Sequence, residues 1–358
     1  MSPAQDRGTL RRANDQVDAG WARLLQRVQV GRSARRMLVL VVVAFAVFAA
    51  LRPGVFLSSI NLQNIALASP EIGVIALAMM LAMLTGGIDL SLVSIANLSA
   101  ITMSTVYTTV AASDPARAEQ LFPVIVLLGI LVGVAGGAVN GLLVAGLGIT
   151  PILATLGTMQ IYNGIAVAWT GGKTLYGSPS QLTAIGQSTV GGVPTLFLVF
   201  VLVAVGLAVV VNRTPLGLRI TLQGANPTAA RFSGIRSGSV LGGTYLLTGL
   251  LGGIAGVLFL ARNPTASADY GASYVLLVIV IAVLGGTNPN GGFATVLGVV
   301  LATLTLQIVS SGFTAVRLSA FEYAIAQGVI LIAVMVLDQV RWRRRRPRAL
   351  QPAAAGTA

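Results

Sequence analysis

The sequence predicts an all-α, polytopic membrane protein. Three observations carry this: 55% of the 358 residues are apolar, only 9% are charged, and the mean hydropathy is +0.86. Soluble domains carry about 25% charged residues. The 42 glycines suit helices packed closely through small residues, since lipid offers no hydrophobic drive for helices to associate. Cys and His are absent, which excludes disulfides, thiolate or imidazole metal ligands, a cysteine nucleophile and a histidine relay. No catalytic residue, metal site or cofactor is expected.

The spans follow from charge-free intervals, because about 20 apolar residues cross the hydrocarbon core. Residues 37–51 form the first, and 54–84, with Glu71 near its start, the second. Residues 90–112 follow Asp89 and form a third. The interval 120–172 holds two spans broken at GLGITP (146–151), where Gly and Pro mark a turn. Residues 194–212 and 237–261 are the sixth and seventh. The run 270–316 holds two more, broken at GGTNPNGG (285–292), and 323–337 supplies the tenth.

The basic residues orient these spans. The first 36 residues carry eight arginines, the loop 213–236 four and the tail after 340 six, out of 23 Lys and Arg. About ten spans place all three on one side, which the positive-inside rule makes the cytoplasm. The expected organisation is a basic N-terminal segment (1–36), a transmembrane domain (37–340) that includes the cytoplasmic loop 213–236, and a basic tail (341–358). The net charge of +13 therefore reads as a topology signal and not as a nucleic-acid surface. The long basic stretch before residue 37 argues for an anchor over a cleaved signal. Trp21, Leu24, Leu25 and Val28 share one helical face that suits anionic lipid, although a disordered tail fits as well.

The motifs come next. GGKT (171–174) lacks the earlier glycine of a phosphate loop, because Val167 stands there. In the loop 213–236, Asn226 can cap a helix that Pro227 begins and that Ala229, Ala230 and Arg231 continue. Gly234 can end it in a left-handed conformation. Such a helix has fewer than about ten residues, too short to be stable alone, and would gain stability by docking in a groove of another protein. An ordinary loop is the alternative.

GGID (86–89) and GGTNPNGG both place paired glycines and polar groups between hydrophobic stretches. Non-helical backbone at membrane depth survives only when buried in protein or lining a wet cavity. Asp89 is tolerable there if N–H groups at the start of the next helix meet its charge; a substrate-site role and a purely structural cap stay open. Asn97, Asn140, Gln160, Asn163 and Gln307 lie within spans. Each can join helices or hydrogen-bond a neutral, hydroxyl-rich solute, and no Lys or Arg lies inside the spans for an anion.

MLTGGIDLSLVSIANLSA (83–100), TPILATLGTMQIYNGIA (150–166), TLQGANPTAARFSGI (221–235) and AVLGGTNPNGGFATVLG (282–298) resemble the permease subunits of bacterial ATP-binding-cassette (ABC) sugar importers. This is the ribose, xylose, arabinose, rhamnose and autoinducer-2 group. The resemblance covers most of residues 38–338. Leu92 and Val93 replace the usual Val-Gly, and Ser310, Ser311 and Gly312 stand where relatives often carry Asn-Gly. It implies a monosaccharide, polyol or autoinducer-2 as solute and residence in the inner membrane. It implies a second permease copy or paralogue, an ABC ATPase that meets the Asn226–Gly234 segment, and a periplasmic sugar-binding protein. Surrounding lipids are further partners, and nucleic acid is not. A stand-alone secondary transporter, with Asp89 as its proton site, is the rival reading.

Overall fold

The computed structural model describes residues 32–319, with residues 321–323, 325, 326, 328, 329 and 332. Helices stand at each predicted span up to residue 316. They are α1 (Arg32–Leu51), α3 (Ser59–Leu84), α4 (Leu92–Ala111), α6 (Phe122–Gly141), α7 (Pro151–Thr170), α9 (Thr195–Arg213), α12 (Ser237–Arg262), α13 (Tyr274–Leu284) and α14 (Val296–Ala315). Short helices join them: α2 (Pro53–Phe56), α5 (Pro115–Gln120), α8 (Ser180–Gln187), α10 (Pro215–Ala225) and α11 (Pro227–Phe232). The predicted lipid-facing residues 21–28, the tail after 340 and most of the tenth span lie outside the described residues.

Among the described residues six helices are long and apolar enough to cross a membrane: α1, α3, α6 with its extension to Gly146, α9, α12 and α14. α4 and α7 are 20 residues each but carry more hydroxyl and amide groups. α13 has only 11 residues. It is shorter than the span expected from residue 270 because the chain from 263 to 273 stays non-helical. There Gly271 has φ +64, and a Cβ would lie 2.6 Å from the Tyr274 ring.

The helix ends follow local chemistry. Ser58 accepts a hydrogen bond from the Asn61 N–H (3.3 Å) at the start of α3, and Asp114 accepts one from Arg117 N–H (2.9 Å) at α5. Gly171, with φ +63, closes α7, so GGKT is a helix terminus. α6 passes into a π-helical turn, Leu142–Gly146, before the GLGITP break. Outside the spans, burial works against the Glu119 charge. Hydrogen bonds from Tyr107 and Ser180 outweigh it and hold this carboxyl below the usual range, tying α5 to the start of α8.

α12 and α3 form the middle of the bundle; from Ile72 to Leu84 every residue of α3 is buried. α12 packs most closely on α6, where Gly129, Gly133, Gly137 and Gly141 recur every fourth residue. A Cβ on Gly133 would lie 2.5 Å from the Gly249 carbonyl oxygen and from Gly253. The two backbones touch, as small-residue faces in membranes allow. Two two-stranded ribbons decorate the bundle. β1 (Leu175–Tyr176) pairs antiparallel with β4 (Thr265–Ala266), and β2 (Thr189–Val190) with β3 (Val193–Pro194).

Candidate functional site

Three groups of residues matter, beginning with the one around Asp89. Its side chain is fully buried. Oδ1 accepts hydrogen bonds from the Ser91 N–H (3.1 Å) and Ser91 hydroxyl (2.7 Å), and Oδ2 from the Thr248 hydroxyl of α12 (3.1 Å). The Ser91 oxygen in turn accepts from Asn140 Nδ2 of α6 (2.7 Å), and Asn140 Oδ1 accepts from the Thr158 hydroxyl of α7 (2.6 Å). Thr155 donates to the Ile88 carbonyl (3.0 Å) and accepts from the Leu90 N–H (3.1 Å). The backbone beside Asp89 is thus satisfied by α7, and its carboxylate by the residue ahead of α4 and by α12. Among these groups the N–H contribution comes from Ser91 alone, two residues on, in the manner of an Asx turn. The chain of donors ties α4, α6, α7 and α12 together.

A second polar group lies along α4 and α7. A cavity of about 230 Å³ is lined by Ser94 and Asn97 of α4, by Gln160 and Asn163 of α7, and by Ala268 and Ala272 of the non-helical stretch, among others. No charged side chain lines it. Asn97 Nδ2 donates to the Ala268 carbonyl (2.8 Å) and the Tyr270 carbonyl (2.9 Å), and Asn163 Nδ2 donates to Ala268 (3.2 Å). Asn97 Oδ1 is buried and has no hydrogen-bond partner among the described residues. A buried acceptor without a partner, on a residue that lines a cavity, can be satisfied by a hydroxyl donor that enters there.

The sequence-predicted residues therefore separate. Asn97 and Asn163, with Gln160, meet at the cavity, whereas Asp89 and Asn140 belong to the buried network and do not line it. Gln307 is half-buried on α14, which packs against α1 and α3, away from both groups. Sequence reasoning missed Ser94, Thr155, Thr158 and Thr248 as named participants. For Thr155 and Thr158 a signal existed, since they stand three apart on one face of α7.

The third group is the 213–236 segment. Thr214 accepts from the Gly217 N–H (3.3 Å) and Pro215 begins α10, a helix where the sequence suggested only loop. Its amphipathic turns bury Ile220 and leave Leu218 and Leu222 exposed. α11 forms as read: Asn226 Oδ1 accepts from the Ala229 N–H (3.0 Å), Pro227 is the first helical residue, and Gly234 has φ +80. Ala230 is buried, Arg231 is exposed without a carboxylate partner among the described residues, and Phe232 is 90% exposed. At the end of α10 the chain touches both glycine junctions. The Gly292 N–H donates to the Leu84 carbonyl (3.0 Å), and a Cβ on Gly224 would collide with that same carbonyl. A Cβ on Gly291 would stand 2.7 Å from the Gly224 carbonyl oxygen and 2.9 Å from Gly86 N. The GGID and GGTNPNGG junctions thus meet each other and the 213–236 segment.

The family described as branched-chain amino acid transport system / permease component matches residues 61–337. The ribose import permease protein of Bacillus subtilis (strain 168) is 31% identical over 286 residues, 79% of this chain and 86% of that one. The autoinducer 2 import system permease protein of Enterobacter sp. (strain 638) is 34% identical over 295 residues, 82% and 83% of the two chains. The D-allose transport system permease protein of Escherichia coli (strain K12) is 30% identical over 295 residues, 82% and 88%. No solved structure matches the chain. Helices where the four signature segments require them, and a match spanning most of the sequence, place the chain in the family of permease components of ABC importers.

Proposed function

We propose that this chain forms the pathway of an ABC importer for a monosaccharide or similar polyol. The observation that carries this reading is the cavity between α4, α7 and residues 268–275, where three amides and a hydroxyl stand among apolar side chains and no charge is present. An amino acid would bring an ammonium and a carboxylate, and burying either unpaired is costly. A neutral polyol needs only hydrogen-bond donors and acceptors, which Ser94, Asn97, Gln160 and Asn163 offer. Relatives that import ribose, allose and galactose support the same class of solute. In this reading Asn97 and Asn163 contact solute, Asp89 and Asn140 hold the surrounding helices, and Gln307, on α14 and away from both groups, does not contact solute at this cavity.

The chain would cross the bacterial inner membrane about ten times with both termini in the cytoplasm, paired with a second copy or a paralogue and surrounded by lipid. An ABC ATPase would grip α11 through Asn226, Pro227, Ala229, Ala230, Arg231 and Gly234, and a periplasmic sugar-binding protein would deliver solute from the other side. ATP hydrolysis belongs to the partner, and this chain is a transport subunit, not an enzyme. Arg231→Glu in the reconstituted complex tests the coupling: sugar uptake and ATPase copurification are expected to fall together. Normal uptake with unchanged ATPase retention removes the assignment. A cysteine introduced at Ala229 into this cysteine-free chain checks the topology, because reaction only with reagents confined outside the cell overturns it.

Autoinducer-2, also a small hydroxylated molecule, is the second reading, favoured by the relative at 34% identity. Competition between labelled ribose and autoinducer-2 for uptake separates the two. Transport by the purified chain without ATP, abolished by Asp89→Asn, would instead favour a secondary transporter.

A further inference from the structure

Residues 263–273, between α12 and α13, are non-helical backbone that buries Ala266 and Ala268 and leaves Pro264, Asp269, Ala272 and Ser273 exposed, and two separate devices hold them. The asparagines are one: both N–H donors of Asn97 and one of Asn163 are taken by the Ala268 and Tyr270 carbonyls. The other is Glu71. This residue of α3 is fully buried, and its Oε2 accepts from Arg262 Nη1 (3.1 Å) and from the Tyr270 hydroxyl (3.0 Å). Asn263 Nδ2 donates to that same hydroxyl (3.1 Å), and the Tyr270 ring packs edge-on against Phe259 at 4.7 Å. One carboxylate oxygen therefore clamps the residue before the stretch and a residue within it. Glu71 Oε1 has no hydrogen-bond partner among the described residues.

We propose that the 263–273 stretch is a gate over the polar cavity and that Glu71 is the positioning residue that keeps it shut. This rests on the cavity being the pathway. The chemistry is an exchange of acceptors. The Ala268 and Tyr270 carbonyls occupy the amide donors that a polyol would use, so solute and gate compete for Asn97 and Asn163. A sugar hydroxyl oxygen replaces a carbonyl oxygen at little net cost when the released carbonyl takes a donor in turn from water or from a sugar hydroxyl. The exchange alone gives the closed gate little advantage, and the Glu71–Arg262–Tyr270 clamp supplies it. The β1–β4 pairing fixes one end of the stretch and α13 the other, with Gly271 in a left-handed conformation between them. Arg262, at the end of α12, is engaged by Glu71 and is not offered to an anionic solute.

The test uses the full complex of permease, ATPase and binding protein in proteoliposomes, with a single cysteine replacing the buried, cavity-lining Val93 of α4. A small membrane-impermeant methanethiosulfonate reports access to it. Glu71→Gln is expected to raise the labelling rate about tenfold, the worth of one charge-assisted contact. It should also abolish the acceleration that ATP and loaded binding protein produce in the unmutated complex. Tyr270→Phe keeps the ring against Phe259, removes one hydroxyl and should raise the rate about threefold, in line with a neutral hydrogen bond; it serves where Glu71→Gln does not assemble. An assembled Tyr270→Phe or Glu71→Gln complex with unchanged labelling overturns the gate. Should Asn163→Ala still impair sugar uptake in that case, the pathway reading survives without it. Full uptake after complete modification of the cysteine at 93 removes the pathway reading itself.

Discussion

Two polar clusters sit in this apolar bundle, and they differ in one respect. Around Asp89 the carboxylate oxygens, the Ser91 hydroxyl and the Asn140 carbonyl oxygen all have donors, at 2.6–3.1 Å, and Asp89 and Asn140 are fully buried. Around Asn97 one amide oxygen has no partner, and Gln160 stands exposed beside an open volume. Both lie where a helix is interrupted. A network closed on itself fixes the relative position of four helices, because moving any one strands a buried group. A network left open keeps capacity for something that arrives. In a membrane protein the incomplete cluster, and not the one bearing the charge, is the better place to look for solute.

Breaking the closed cluster should cost most. Asp89→Ala leaves the N–H and the hydroxyl of Ser91 unpaired at about 1–3 kcal/mol each, while Thr248 keeps the Tyr245 carbonyl (3.0 Å), so a loss of about 2 kcal/mol or more is expected. It would appear as a lower unfolding midpoint in detergent and a reduced yield of complex. Next comes the frame that surrounds both clusters. Gly133→Leu forces α6 and α12 apart at a backbone contact and should cost about 1–3 kcal/mol by overpacking, measured the same way. The open cluster should respond in the opposite sense. Asn163→Ala is expected to leave the unfolding midpoint within error while lowering sugar uptake roughly fivefold, the worth of about 1 kcal/mol of hydrogen bonding. Equal losses of stability and uptake in that variant would dissolve the distinction between the clusters. The smallest effect belongs outside both. Asn226→Ala removes an exposed helix cap worth about 0.5 kcal/mol. It should leave solute protection at the cavity intact while weakening retention of the ATPase.

Much of this architecture was legible in the sequence because its signals are local. Charge-free intervals marked the helices up to Ala315, and GLGITP and GGTNPNGG marked their interruptions. Asn226, Pro227 and Gly234 announced α11 because a capping oxygen, a preset φ and a left-handed terminus act within a few residues. What stayed hidden depends on distance. Asn97 and the Ala268 carbonyl it holds are 171 positions apart, and Glu71 and Arg262 are 191 apart. No local pattern announces such pairs. Residues 270–273 read as the beginning of a span, since nothing in DYGAS reveals that an amide across the bundle holds the Tyr270 carbonyl. Thr214 and Pro215 did signal α10, but the arginines of that segment drew attention to topology instead.

The meeting of Leu84, Gly224, Gly291 and Gly292 is made of main chain alone. Side-chain contacts can yield by changing rotamer, but three stretches of peptide resting on one another have no such slack. A force drawn through the proposed ATPase contact on α11 would reach the ends of α3 and α13 by way of Gly224, with no side chain between to absorb it.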